Sequence, residues 1–152
     1  MKGGLTLEAG AITLPTTIKI PTSNQLGYSF SGTLTSDSIT ANGVYTVASI
    51  TLASGVWLLN SQLVMLNTGA GSSTFTQIIS SISPGTTVNG TNVTVTRANA
   101  ATNQNSYTGQ HNVRIVSLTA ASTTYYLIAS VTFTTTVTLT YQTSYLTATR
   151  IA

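Results

Sequence analysis

The sequence predicts an all-β domain, and three features of the chain carry this prediction. Runs that alternate apolar with polar residues recur roughly every 10 to 15 residues, as the strands of a sheet do. Ser and Thr together make up about a third of the 152 residues, and β-branched Thr suits a pleated surface. No segment shows a sustained 3.6-residue period of helix-forming residues. A chain of 152 residues fits one domain with a core of its own.

The first segment of the chain, residues 1 to 27, differs from the rest. Its glycines and prolines include Gly10, Pro15 and Pro21. Because proline cannot donate a hydrogen bond to a central ladder, this segment is predicted to be an extended N-terminal arm or an edge strand. Residues 28 to 152 form the predicted domain.

Turn-forming residues divide the chain into short strands. Asn42-Gly43 and Asn89-Gly90 tolerate the positive φ of tight turns, and Gly and Pro stand between other apolar runs. The predicted strands lie near residues 12 to 20, 28 to 35, 44 to 52, 55 to 67, 73 to 82, 91 to 97, 112 to 118, 124 to 133 and 137 to 150. Short strands in this number predict a β-sandwich or a jelly roll.

The alternation is clearest in two places. In the strand at 44 to 52, Val44 and the even-numbered residues from Ala48 to Leu52 are predicted to share the buried face. From Val131 to Tyr141 apolar residues alternate with threonines, and Thr134 to Thr136 is either part of one strand or a turn between two.

Ionisable side chains are scarce, which limits the chemistry that the protein can perform. The chain has two carboxylates, Glu8 and Asp37, one histidine, His111, and no cysteine. Acid–base, nucleophilic and metal chemistry depend mainly on these residue types, so we predict no catalytic residue, no cofactor and no metal site. The five basic residues are scattered singly, which argues against nucleic acid as a partner. No apolar run approaches the length of about 18 residues that predicts insertion into a membrane.

Three short motifs carry a resemblance to a known family. They are ITLASGVW from Ile50 to Trp57, TTYYLIASVTF from Thr123 to Phe133, and LTATRIA from Leu146 to Ala152. From Tyr28 onward their order resembles the small trimeric jelly rolls of the C1q and tumour-necrosis-factor type, in the versions found in bacteriophage tail fibres, head fibres and capsid decorations. The glycine turn that is frequent in the family before the last strand is replaced here by threonines.

The resemblance implies a homotrimer. In the family, one sheet of each subunit faces the threefold axis and includes the C-terminal strand, here Tyr145 to Ile151. Tyr125, Tyr145 and Arg150 are the predicted interface residues. A trimer would also cover apolar and tyrosine side chains that a charge-poor monomer would expose.

Two further sites are suggested by residue type and position. A loop as long as the polar segment from Ala98 to Gln110 is either functional or mobile, and Arg97, Asn105, Tyr107 and His111 in and beside it form a candidate patch for a ligand or host contact. The alternative for these residues is an ordinary loop rim.

Trp57 has two interpretations. Its apolar face could stack on a sugar ring, or its side chain could fill the core. The core is favoured because Trp57 follows a turn and begins an apolar strand.

Taken together, these observations predict a virion structural protein and no enzymatic activity. Its expected form is a trimeric jelly roll at a fibre tip or on the capsid surface, assembled in the host cytoplasm, located on the virion surface and joined to other virion proteins by the arm. Adhesion to a host-surface glycan would gain strength from multivalency. One alternative is a purely architectural capsid cement protein without a ligand. Another is a polysaccharide-degrading enzyme, for which Glu8 and Asp37 are the only carboxylates available.

Overall fold

The protein is all-β, as the sequence predicts. The computed structural model describes residues 25–34, 38–68, 73–88, 93–96, 100–102, 107–134, 138–141 and 143–152, and no helix occurs among them. The strands are β1 (Ser29–Ser31), β2 (Thr33–Leu34), β3 (Ser38–Ile39), β4 (Gly43–Leu52), β5 (Gly55–Asn67), β6 (Ser73–Ser83), β7 (Val93–Thr96), β8 (Ala100–Thr102), β9 (Tyr107–Leu118), β10 (Thr123–Phe133), β11 (Leu139–Thr140) and β12 (Tyr145–Arg150).

The strands form two antiparallel sheets with the core between them. In sheet A, β5 pairs with β9 along one edge and with β12 and β11 along the other; β1 lies outside β12, and β3 lies outside β11. Sheet B has the order β2, β4, β10 and β6, and β7 and β8 both pair with the far edge of β6. Two facing antiparallel sheets make a β-sandwich.

Strict alternation builds the core. The odd-numbered residues of β5 from Trp57 to Asn67 are buried, whereas the even-numbered residues from Leu58 to Leu66 face away from the core. Strand β10 supplies the odd-numbered residues from Tyr125 to Phe133 from the opposite sheet. Each sheet therefore has an inner face toward the core and an outer face.

Most predicted strands agree with the observed ones. Those at 44 to 52, 55 to 67, 73 to 82 and 124 to 133 match β4, β5, β6 and β10 to within one residue at each end. The predicted strand at 12 to 20 lies outside the described residues, as does the predicted arm except for its last three residues. There the Gly27 N–H donates to the carbonyl oxygen of Arg150 at 2.8 Å, beside β12.

Three predicted segments need correction. The strand at 28 to 35 is two strands, β1 and β2, which belong to different sheets. The strand at 137 to 150 is two strands, β11 and β12, because the chain turns between them with a hydrogen bond from Ser144 N–H to the Tyr141 carbonyl oxygen. The segment from Ala98 to Gln110 is not one long loop, since β8 lies within it and β9 already begins at Tyr107. These residues are polar and so resemble a loop in sequence, but β8 pairs with β6 and β9 pairs with β5.

A β-bulge in β4 corrects the predicted buried face of that strand. The register with β10 shifts between Leu127 and Ile128, which leaves Val47 as an extra residue. After the bulge, the even-numbered residues from Ala48 to Leu52 are buried as predicted. Before it the alternation is inverted, so Val44, predicted to be buried, is 52% exposed.

The chain crosses from sheet A to sheet B at Gly32. The Gly32 N–H donates to the carbonyl oxygen of Leu146 in sheet A at 2.7 Å, while the next residue, Thr33, pairs with Ser49 in sheet B. A Cβ atom on Gly32 would lie only 2.5 Å from the Ser49 carbonyl oxygen. The crossing therefore requires a residue without a side chain.

We expect Gly32→Ala to lower the free energy of unfolding by about 2 kcal/mol, because the backbone of β4 would have to shift. Gly109→Ala is the matched control, since a Cβ on Gly109 would meet nothing within 4 Å. Urea unfolding followed by far-ultraviolet circular dichroism measures both variants. If Gly32→Ala and Gly109→Ala had equal free energies of unfolding, the close approach of Gly32 to the Ser49 carbonyl oxygen would be contradicted.

Candidate interaction surface

Strand β9 places apolar side chains on the outer face of sheet A. Val113 is 60% exposed and Ile115 is 65% exposed, although both lie within a long, well-paired strand. His111 and Ser117 are exposed on the same side of the strand. Single exposed apolar residues are ordinary, but adjacent ones on a sheet can belong to a larger patch.

The apolar surface continues across β5 and β12. Ile115 lies opposite Leu58 in the β5–β9 register, and residues directly opposite each other share a face. Val64 and Leu66 follow Leu58 along the same side of β5 and are half-buried. We call this surface the outer sheet-A face and define it by Leu58, Val64, Leu66, Val113, Ile115 and Tyr145.

This face carries no formal charge in the part of the chain that the structure describes. The polar neighbours of its apolar residues are amides and hydroxyls, such as Asn60, Gln62 and Thr147, and the one ionisable heterocycle is His111. Both described arginines of sheet A, Arg114 and Arg150, belong to the inner side. A charge-depleted apolar centre is typical of the core of a protein–protein interface.

Hydrogen bonds between the sheets determine which side of β9 faces outward. On the inner side, Gln110 Nε2 donates to the Ile78 carbonyl oxygen at 3.0 Å, and Arg114 donates to the Ile82 carbonyl oxygen at 2.7 Å. Between them, Asn112 Nδ2 donates to Ser80 Oγ at 2.6 Å. Buried polar groups are costly unless they are hydrogen-bonded, so these contacts to β6 hold the polar side of β9 inward. Val113 and Ile115 consequently face outward.

Two fully buried serines on the inner faces differ in their partners. Ser80 accepts the hydrogen bond from Asn112, whereas the Ser61 hydroxyl has no hydrogen-bond partner among the described residues. We expect Ser61→Ala to raise the free energy of unfolding by about 1 kcal/mol, because it removes an unsatisfied buried group. Ser80→Ala should lower it by about 1 kcal/mol or more. Thermal unfolding measures both variants. If both substitutions raised the stability, or both lowered it, the difference in hydrogen bonding between Ser61 and Ser80 would be contradicted.

The structure brings together one residue from each site that the sequence predicts. His111 of the candidate contact patch and Tyr145 of the predicted interface both lie opposite Gln62, on either side of β5. With strands about 4.8 Å apart, their backbones are roughly 10 Å from each other. Arg97 and Asn105 lie outside the described residues, and Tyr107 begins β9 opposite Leu66.

Tyr125 and Arg150 are directed toward the inner side of the sandwich. Tyr125 is 6% exposed, and the Arg114 guanidinium lies 5.3 Å from the centre of its ring. Arg150 stacks over Trp57 at 5.6 Å. Gly55, at φ 136°, leaves room for the guanidinium, since a Cβ there would be 2.7 Å from a nitrogen of Arg150. Of the three predicted interface residues, Tyr145 alone belongs to the outer sheet-A face.

The described residues also form an open groove at the side of the sandwich, where β1 and β2 pass β4. Its volume is about 350 Å³, and it is lined by Phe30, Ser31, Gly32, Thr33, Ser49, Ile50 and Thr51. Hydroxyl groups and part of an aromatic ring therefore surround the groove, and its lining contains no charged residue.

The chain matches no protein-family model and no curated protein. In the described residues, no group of three or more His, Cys, Asp or Glu side chains is placed to hold a metal ion. The same residues contain no helix long and apolar enough to cross a membrane.

Proposed function

We propose that this protein is a virion structural protein that forms a homotrimer through the outer sheet-A face. The observation that carries the proposal is the exposure of Val113 and Ile115 on a strand whose polar side is held inward. Exposed or half-buried apolar side chains on neighbouring strands, here Ile115 opposite Leu58, mark an interaction site when they belong to a larger patch. A second copy of the chain is the partner that the resemblance to trimeric phage domains implies.

The pairing of the strands supports a jelly roll of the C1q and tumour-necrosis-factor type. Among the eight strands β1, β4, β5, β6, β7, β9, β10 and β12, the first pairs with the last, the second with the seventh, the third with the sixth and the fourth with the fifth. This nested order of antiparallel pairs is the arrangement that two Greek keys produce in a jelly roll.

The position of the C-terminal strand also agrees with what the resemblance implies. Strand β12 lies between β1 and β5 in sheet A, so Tyr145 reaches the outer face near the centre of the sheet. The ladder continues beyond the strand, since the Val56 N–H donates to the Ala152 carbonyl oxygen at 2.7 Å. A sheet face without charged side chains is a suitable surface for three identical copies to share.

Multi-angle light scattering tests the trimer directly. The expected mass at micromolar concentration is three times the 15.8 kDa of one chain. A mass of 15.8 kDa at the same concentration would refute the proposal. A stable dimer would retain the self-association but contradict the threefold arrangement.

On the virion, this trimer would form a fibre tip or a capsid-surface decoration, joined to other virion proteins by the arm and acting without catalysis. The groove favours adhesion to a neutral host-surface glycan over a purely architectural role as capsid cement. Its hydroxyls can bond to sugar hydroxyls, and Phe30 can contact an apolar sugar face. If the protein bound no neutral glycan on a glycan array, the architectural role as capsid cement would be favoured instead.

A further inference from the structure

Asn42 closes one end of sheet B with its side chain. Its Nδ2 donates to the Phe133 carbonyl oxygen at 3.2 Å, and its Oδ1 accepts from the Phe133 N–H at 2.8 Å. The last backbone pair between β4 and β10 joins Gly43 to Val131. The amide of Asn42 thus takes the place of a further backbone pair, so the chain can turn away while both polar groups of Phe133 stay hydrogen-bonded.

Tyr45 holds the same turn through a second contact. Its hydroxyl donates to the Ala41 carbonyl oxygen at 2.7 Å. Its ring lies 3.5 Å from the position that a Cβ on Gly43 would occupy. Ala41, which precedes Asn42, is therefore hydrogen-bonded to a residue of β4.

An asparagine followed by glycine can react with its own backbone. The nitrogen of Gly43 attacks Cγ of Asn42, a C–N bond forms, and the side-chain nitrogen leaves as ammonia, which produces a five-membered succinimide. Water then opens the ring to aspartate or isoaspartate. Glycine permits the attack because it has no Cβ, but the nitrogen and Cγ must first approach to about 3 to 3.5 Å in the right orientation.

We propose that Asn42 is a deamidation site gated by the fold. While the sandwich is closed, the two hydrogen bonds to Phe133 hold the side-chain amide away from the attacking nitrogen. The reaction proceeds when this end of β10 opens. Aspartate at position 42 would present an oxygen in place of the Nδ2 donor to the Phe133 carbonyl, so the modified chain loses that hydrogen bond. The extent of deamidation at Asn42 therefore reports how often this end of β10 has opened.

The test compares the rate of modification in folded and unfolded protein. Both samples are held at the same mildly alkaline pH, the second in urea, and the conversion of Asn42 is followed by peptide mass spectrometry. We expect Asn42 to react at least about tenfold more slowly in the folded protein. The same dipeptide at Asn89-Gly90 in the unfolded sample confirms that the conditions permit the reaction. Equal rates at Asn42 in the two samples would overturn the proposal.

Tyr45→Phe provides a second measurement in a protein that keeps its core. The variant lacks the hydroxyl that bonds to Ala41, so the turn at Asn42 is less constrained. The rate at Asn42 should rise in the folded variant and stay at the parental value in urea. A folded-state rate equal to that of the parent would refute gating by this turn.

Discussion

Replacing Val113 and Ile115 with lysine is expected to convert the proposed trimer into single chains of 15.8 kDa. Both side chains lie on the outer sheet-A face, and the described residues include no Asp or Glu side chain to pair with a new cation. Burying an unpaired charge in an interface costs several kcal/mol. Even 3 kcal/mol would weaken association by roughly a hundredfold. Multi-angle light scattering of the double variant measures the result.

Val44→Lys is the matched control for this experiment. Val44 is also an exposed valine on a strand, but it belongs to sheet B. This variant should keep the mass of the parent protein. Both proteins should remain folded, because all three replaced side chains are at least half exposed in the subunit. If the double variant keeps the parental mass, the outer sheet-A face is not the site of self-association.

Trp57→Ala is expected to lower the free energy of unfolding by about 4 kcal/mol. Trp57 is 1% exposed and lies at the start of β5, with its Nε1 donating to the Ala53 carbonyl oxygen at 3.0 Å. Phe30 meets it edge to face at 5.7 Å, and Arg150 covers its ring. Truncation would leave a cavity and remove the support of both neighbours. A loss of this size is a large part of the 5 to 15 kcal/mol typical of a whole domain.

Trp57→Phe separates packing from polar contacts. It keeps an aromatic ring but loses the indole N–H, so a smaller loss of about 1 to 2 kcal/mol is expected. Because Trp57 is the only tryptophan, unfolding must be followed by circular dichroism instead of tryptophan fluorescence. A loss below 1 kcal/mol for the alanine variant would contradict the structural role. The burial of the ring agrees with the core position that the sequence favours and leaves no face for a sugar.

The sequence predicts the strands well because alternation is a local signal. Strand β5 combines apolar runs with a preceding turn, so its limits are visible without knowledge of its neighbours, although which of its residues are buried is not. Strand β9 shows what alternation cannot determine. Polar and apolar residues alternate only from Asn112 to Ile115, and the period alone does not say which side is buried. The hydrogen bonds to β6 decide this, and their partners are 32 residues away in the chain.

The same limitation applies to the residues of the proposed interface. The sequence does not distinguish Val113 and Ile115 from core residues, since apolar residues in a predicted strand are normally assigned to the core. The orientation of Tyr125 and Arg150, two of the predicted interface residues, depends on the inner positions that they occupy in β10 and β12. The exposure of Val44 depends on one extra residue in β4, which no local pattern reveals.

Because the outer sheet-A face is neutral, self-association through it should depend little on salt concentration. Attraction between ions weakens as the Debye length shortens, but contacts between apolar groups are not screened in this way. An association through this face should therefore persist from dilute buffer to brine. Strongly hydrated anions such as sulfate should tighten it, because they are excluded from protein surfaces and favour burial.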